Sequence, residues 1–141
     1  MTSTQEVYDA FLAKMTEDEW VAWEEEECIQ DWHAILAAAI PRFKFPRISL
    51  ELEGENFVNT LGNEEIQILA QYMKCEWLNR SILSWENIRP LYDERDFSPA
   101  NMLDKLNQLL TIEKKDALEL ERIYYRSIKT KPWSYRQLAE N

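Results

Sequence analysis

A mainly α-helical fold follows from three observations on this 141-residue chain. Glycine is almost absent, since Gly54 and Gly62 are the only two and both fall in one short central region. On either side of that region apolar residues recur at three and four positions, the spacing of a helix face turned to a core. Residues 48–53 alone alternate apolar and polar at period two. The expected architecture is a small helical bundle with a long C-terminal helix, a short extended or β segment in the middle and an extended C-terminal arm. A chain of this length can bury a core without disulfides or metal. Residues 1–130 read as the bundle and 131–141 as the arm.

Val7, Tyr8, Phe11 and Leu12 predict a short first helix over residues 6–14. Thr16, with Glu19 three residues on, has the form of a capping box and predicts a second helical stretch holding Trp20, Val21 and Trp23. Glu24, Glu25, Glu26 and Glu27 fall on the first turns of the segment leading to Ile40, where carboxylates suit the positive end of the helix dipole. Ile29, Trp32, Ile35, Leu36, Ala39 and Ile40 form its core stripe. Pro41 and Pro46 end it, and residues 42–45 are expected extended, because the residue before a proline avoids the helical region.

After the strand at 48–53, Asn63 predicts an N-cap with Glu64 and Glu65 in the first turn of a helix running to about Leu83. Its apolar residues cover a wide arc, with Ile66, Leu69, Ala70, Met73 and Trp77 in one row and Ile68, Tyr72, Cys75 and Ile82 in another. Such a helix belongs at the centre. Residues 84–97, which include Pro90, read as a connector. Ser98 before Pro99 is a strong helix start. Leu103, Leu106, Leu110, Ala117, Leu120 and Tyr124 keep the helical spacing across roughly thirty residues, about 45 Å of helix whose end is expected to project beyond the bundle.

Charge is distributed unevenly. The formal net charge is −10, and residues 1–40 hold ten carboxylates against Lys14 alone. Between Arg122 and Leu138 there is no Asp or Glu, while Arg122, Arg126, Lys129, Lys131 and Arg136 are basic. An acidic body with an electropositive tail points to docking against a partner or another copy. It disfavours general nucleic-acid affinity, which needs clustered cations to neutralise phosphates. The longest apolar run, residues 34–40, is too short to cross a bilayer. The first residues lack the basic-then-apolar pattern of a signal peptide, so folding in a cytoplasm is expected, with Cys28 and Cys75 reduced.

No catalytic, cofactor-binding or metal site is expected. His33 is the only histidine, and the two cysteines lack the spacing of a zinc site. The run at 24–27 lacks the alternating Asp/Asn and Gly of a calcium loop and reads as a solvated acidic face. No nucleophile-elbow, phosphate-loop or zinc-protease motif occurs. Of six tryptophans, Trp85 and Trp133 lie in the connector and the tail, where burial within one copy is least assured. Trp85, Arg122 and Arg126 are the candidate subunit or partner interface. Lys129, Lys131, Trp133, Tyr135 and Arg136 are the candidate docking arm, since aromatic and Arg side chains anchor buried interfaces.

Residues 34–47 (AILAAAIPRFKFPR), followed by 63–70 (NEEIQILA), 76–80 (EWLNR), 84–89 (SWENIR), Asp96-Phe97 and 120–126 (LERIYYR), resemble in their order the neck proteins of tailed bacteriophages. The likeness is to the head-tail connector, or adaptor, family and spans the chain from about Phe11. It implies a small helical bundle that assembles as a ring of twelve copies beneath the portal protein at one capsid vertex, made in the host bacterial cytoplasm and resident in the virion. Its C-terminal segment would dock on the portal, its other end would receive further neck or tail proteins, and genome DNA would pass through without specific binding. Neighbouring copies are expected to pack through the wide apolar faces of residues 63–83 and 98–130. The acidic run at 24–27 and the high tryptophan content depart from the family pattern. The alternative is a small helical regulatory module that binds a protein partner or, through its basic tail, nucleic acid; in neither case is a cofactor or membrane expected.

Overall fold

The computed structural model describes residues 1–16, 19–88 and 98–129. Among them are four helices and a small three-stranded ladder. In chain order these are β1 (Thr2–Ser3), α1 (Thr4–Ala13), α2 (Glu25–Ala39), a 3-10 turn (Ile40–Arg42), β2 (Leu52–Glu53), β3 (Asn56–Phe57), α3 (Asn63–Ile88) and α4 (Ser98–Lys129). The chain is mainly α, with its longest helix at the C-terminal end of the described residues. The arm at 131–141 lies outside them, as does most of the connector, residues 89–97.

α1 begins earlier than its apolar period suggests because Ser3 caps it. The Ser3 hydroxyl accepts the Gln5 N–H at 3.2 Å, and the Glu6 carboxylate accepts the Ser3 N–H at 3.2 Å. Val7, Tyr8 and Phe11 then face the core and are buried. The capping box expected at Thr16 and Glu19 does not start a helix; residues 17–18 lie outside the described chain, and residues 19–23 are turns and a bend leading to Glu24 at the N-cap of α2. Tertiary ties override the local signal. The Trp20 indole is buried and donates to Asp31 at 2.7 Å, and Glu19 accepts the Trp77 indole N–H at 2.5 Å.

α2 carries Glu25, Glu26 and Glu27 in its first turn and buries Cys28, Ile35, Leu36 and Ala39. Ile29, Trp32 and Ile40, the rest of the expected stripe, are partly buried against the same core. α2 ends at Ala39, ahead of Pro41 as expected, and Pro41 sits inside the 3-10 turn that follows, near its start, where a missing N–H is tolerated. Arg42 belongs to that turn too, so the extended backbone begins at Phe43.

The strand expected over 48–53 shrinks to Leu52–Glu53. The alternation survives as burial, with Leu50 buried and Ile48 and Leu52 half-buried. β2 pairs antiparallel with β3 across a two-residue turn at Gly54 and Glu55, and β3 also pairs with β1 in the order β1-β3-β2. Gly54 has φ +63° and no other described residue has positive φ, the pattern of a hairpin turn with glycine first.

α3 runs further than expected, continuing through residues 84–88 to Ile88. The chain has no breaker between Gly62 and Pro90, so nothing local stops it. Gly62 accepts the Ile66 N–H at 3.1 Å, which makes Gly62 the capping residue and Asn63 the first helical one. Residues 68–73 are all buried, as befits a helix enclosed by α1, α2 and α4.

Among the described residues α4 packs chiefly on α3. Leu103, Leu110, Ala117 and Tyr124 are buried, and Leu106 and Leu120 half-buried, all on the expected row. The row continues through Glu113, giving positions 103, 106, 110, 113, 117, 120 and 124 with alternating steps of three and four, the seam of a two-helix coil. α3 and α4 run antiparallel. Lys74 pairs with Glu113 at 3.0 Å mid-helix, while Arg47 pairs with Glu64 at 3.4 Å and donates to the Tyr124 carbonyl at 2.9 Å, joining the start of α3 to the end of α4. Five residues of α4 follow Tyr124, so the helix runs roughly a turn past the start of α3.

Candidate interaction surfaces

Polar side chains inside the bundle serve the fold. Asp31 on α2 accepts Trp20 and both terminal nitrogens of Arg80, at 2.6 and 3.1 Å, which fastens the 19–24 segment and α2 to α3. Partial burial disfavours the Asp31 charge, but the hydrogen bonds from Arg80 and Trp20 outweigh it and hold the carboxyl below its usual range. On the α3–α4 seam the Glu113 carboxylate accepts Gln71 at 2.6 Å and pairs with Lys74; the same opposition of burial and hydrogen bonding leaves it below the usual value. Tyr72 donates to Glu121 at 2.5 Å, and burial followed by that carboxylate raises the phenol.

Cys75 is buried on α3, and burial with nearby Glu113 pushes its thiol up to about 11. Cys28 is buried as well, with its sulfur 3.5 Å from the Trp20 carbonyl. His33 is exposed and lies 3.4 Å from the Tyr8 hydroxyl. Among the described residues no three His, Cys, Asp or Glu side chains converge to hold a metal, and no helix is long and apolar enough to cross a membrane.

Of the interface candidates, Trp85 lies far from Arg122 and Arg126. Trp85 sits near the C-terminal end of α3, half-buried against the core and lining a cavity of about 390 Å³ with Glu19, Arg80, Ser81 and Ser84. Arg122 and Arg126 are exposed on the far end of α4, where Arg122 pairs with Glu119 at 3.1 Å. The 21 residues from Glu64 to Trp85 separate the two ends by about 32 Å. Lys129 closes α4; Lys131, Trp133, Tyr135 and Arg136 lie outside the described residues. The wide apolar arc of α3, expected to face a neighbouring copy, is consumed inside the chain by α1, α2 and α4. What α4 leaves outward is narrower: Met102, Leu109, Ile112 and Ile123 lie on one shoulder beside the seam, 37–55 % exposed, interrupted by Lys105, Asp116 and Glu119.

Two charged concavities lie at opposite ends of α2. At its N-terminal end Glu24, Glu25, Glu26 and Glu27, with Glu55 from the hairpin, line an open cavity of about 800 Å³. Beyond its C-terminal end Arg42, Lys44, Tyr72, Lys114 and Leu118 line a smaller one of about 230 Å³. Arg42 also pairs with Glu76 on α3. The second cavity was not legible in the sequence, since it is assembled from three separate stretches. Compared with known proteins, the chain matches no family model, no curated protein and no solved structure.

Proposed function

We propose that the chain is a structural virion protein of a tailed bacteriophage, a head-tail connector that forms a ring, docks on the portal and joins the DNA-filled capsid to the tail. The observation that carries this reading is the order of segments from residues 34–47 to 120–126, which follows that of phage neck proteins along most of the chain. The 32-residue α4 at the edge of a mainly helical body is consistent with it. In this reading Trp133 and Tyr135 anchor the arm between portal subunits while Lys131 and Arg136 pair with portal carboxylates. The net charge of −10 suits a channel wall that DNA passes without being gripped.

Native mass spectrometry of the purified chain, alone and mixed with the portal ring encoded in the same genome, tests the proposal. A ring-sized assembly on the portal is expected, and truncation after Thr130 is expected to abolish it. A chain that ignores the portal and instead binds DNA with a steep salt dependence would replace the neck reading with that of a regulatory module.

A further inference from the structure

The small cavity beyond α2 gathers cations on an acidic chain, and two of them are unmatched. Arg42 pairs with Glu76, but neither Lys44 nor Lys114 has an ion-pair partner among the described residues. Large apolar side chains flank these lysines in the open, with Phe45 72 % and Leu118 61 % exposed. We infer that this cavity seats the acidic edge of a second copy of the chain, formed by Glu24, Glu25, Glu26 and Glu27 with Val21 and Trp23 beside them.

Complementarity carries the argument on both counts. Each edge sets charge beside exposed apolar surface, since Val21 is 79 % and Trp23 39 % exposed next to the glutamates. Seating one edge on the other pairs Lys44 and Lys114 with carboxylates and covers Trp23 and Val21 against Phe45 and Leu118, placing charge pairs around an apolar centre. The contact cannot form within one copy, because the 15 residues of α2 hold the two edges about 22 Å apart. It is therefore head-to-tail. Each copy in a pair keeps one unmatched edge, and repetition closes a ring or extends a chain according to the rotation between neighbours. The inference rests on the ring reading above for its expectation that copies meet, and adds where they touch.

Sedimentation velocity of the full chain at low and high salt tests it, with two charge-reversed variants, K44E/K114E and E26K/E27K. All four positions are exposed, and circular dichroism checks the fold; K44Q/K114Q supplies a milder change at the same seat. The wild-type chain should self-associate with an affinity that falls as salt rises. Each variant alone should associate about tenfold more weakly or less. An equimolar mixture of the two reversed variants should associate again, because each then offers the other a matched seat. Wild-type-like association of either variant, or a mixture that stays dispersed, overturns the seat while leaving a ring through another face open. Phosphate binding by the wild-type chain with no association between copies would assign the cavity to a small anion and also overturn it. Association that follows the charge pattern in a chain that the portal ring does not capture keeps the seat and sinks the neck reading.

Discussion

Replacing Asp31 with alanine should destabilise the chain by about 1–4 kcal/mol, most of it through one tryptophan. The Trp20 indole N–H is 2.7 Å from the Asp31 carboxylate in a residue only 7 % exposed, so removing the acceptor strands a buried donor at ~1–3 kcal/mol. Arg80 makes two bonds to the same carboxylate, but its side chain is 40 % exposed, and water can replace the lost partner for ~0–1 kcal/mol. For 141 residues the unfolding entropy is about 0.3 kcal/mol/K, which turns this loss into a fall in melting temperature of roughly 3–13 °C. Calorimetry of Asp31→Ala measures the fall, and double-mutant cycles with Trp20→Phe and Arg80→Ala divide it. A shift under about 2 °C, or an Arg80 coupling larger than that of Trp20, would refute the reasoning. Acid supplies a second check. The folded Asp31 carboxyl lies below its unfolded value, so its stabilisation is present above the unfolded value near pH 4 and is lost as pH falls through the folded one. The deficit of Asp31→Ala should therefore shrink in acid.

Three further predictions follow the same logic. Glu113→Ala leaves Lys74 unpaired in the seam and Gln71 with only its bond to the Glu113 carbonyl, and should cost about 2–3 kcal/mol in urea unfolding, whereas Glu113→Leu, which continues the apolar row, should cost less; a costlier Leu variant would show that the carboxylate's bonds outweigh its burial. Gly54→Ala should lose about 1 kcal/mol for its φ of +63° alone, because no atom lies within 4 Å of the added Cβ, and Gly54→Asn should lose less. Equal urea midpoints for wild type and Gly54→Ala would contradict that conformation. Both thiols should react with a disulfide reagent at pH 8 only as fast as the fold opens, since Cys28 and Cys75 are buried and Cys75 is held up to about 11; rapid reaction of either thiol in the native protein would show that site to be open.

Much of the helical frame was legible because a bundle announces itself through period. The α4 seam is readable wherever it is leucine, but Glu113 occupies a core position that a search for apolar residues passes over, and only the facing Gln71 and Lys74 explain it. Asp31 is one of ten carboxylates in an acidic stretch until the fold brings Trp20 and Arg80 to it from 11 and 49 residues away. The false start at Thr16 has the same origin, a local capping signal overruled by distant partners of Glu19 and Trp20. Two-residue strands such as Thr2–Ser3 and Asn56–Phe57 have no room for an alternating pattern. Of the interaction surfaces, the acidic edge could be read directly because its residues are consecutive. The cation cavity could not, being drawn from residues 42, 44, 72, 114 and 118.

The N-terminus is stitched to the middle of the chain: β1 lies on β3, Leu61 donates to the Thr2 hydroxyl at 2.7 Å and the Met1 amine donates to Thr60 at 3.1 Å. Thr2 and Leu61 lie 59 residues apart, so their pairing has a long loop to close. The α2–α3 and α3–α4 pairs join neighbours in sequence and can form ahead of it. Amide exchange should find β1 opening more readily than the centre of α3, and equal protection would contradict this order. The clasp that brings β1 against the hairpin is thus expected to close late, and a change that weakens the Thr2 contacts should loosen β1 while leaving the α3–α4 pair intact.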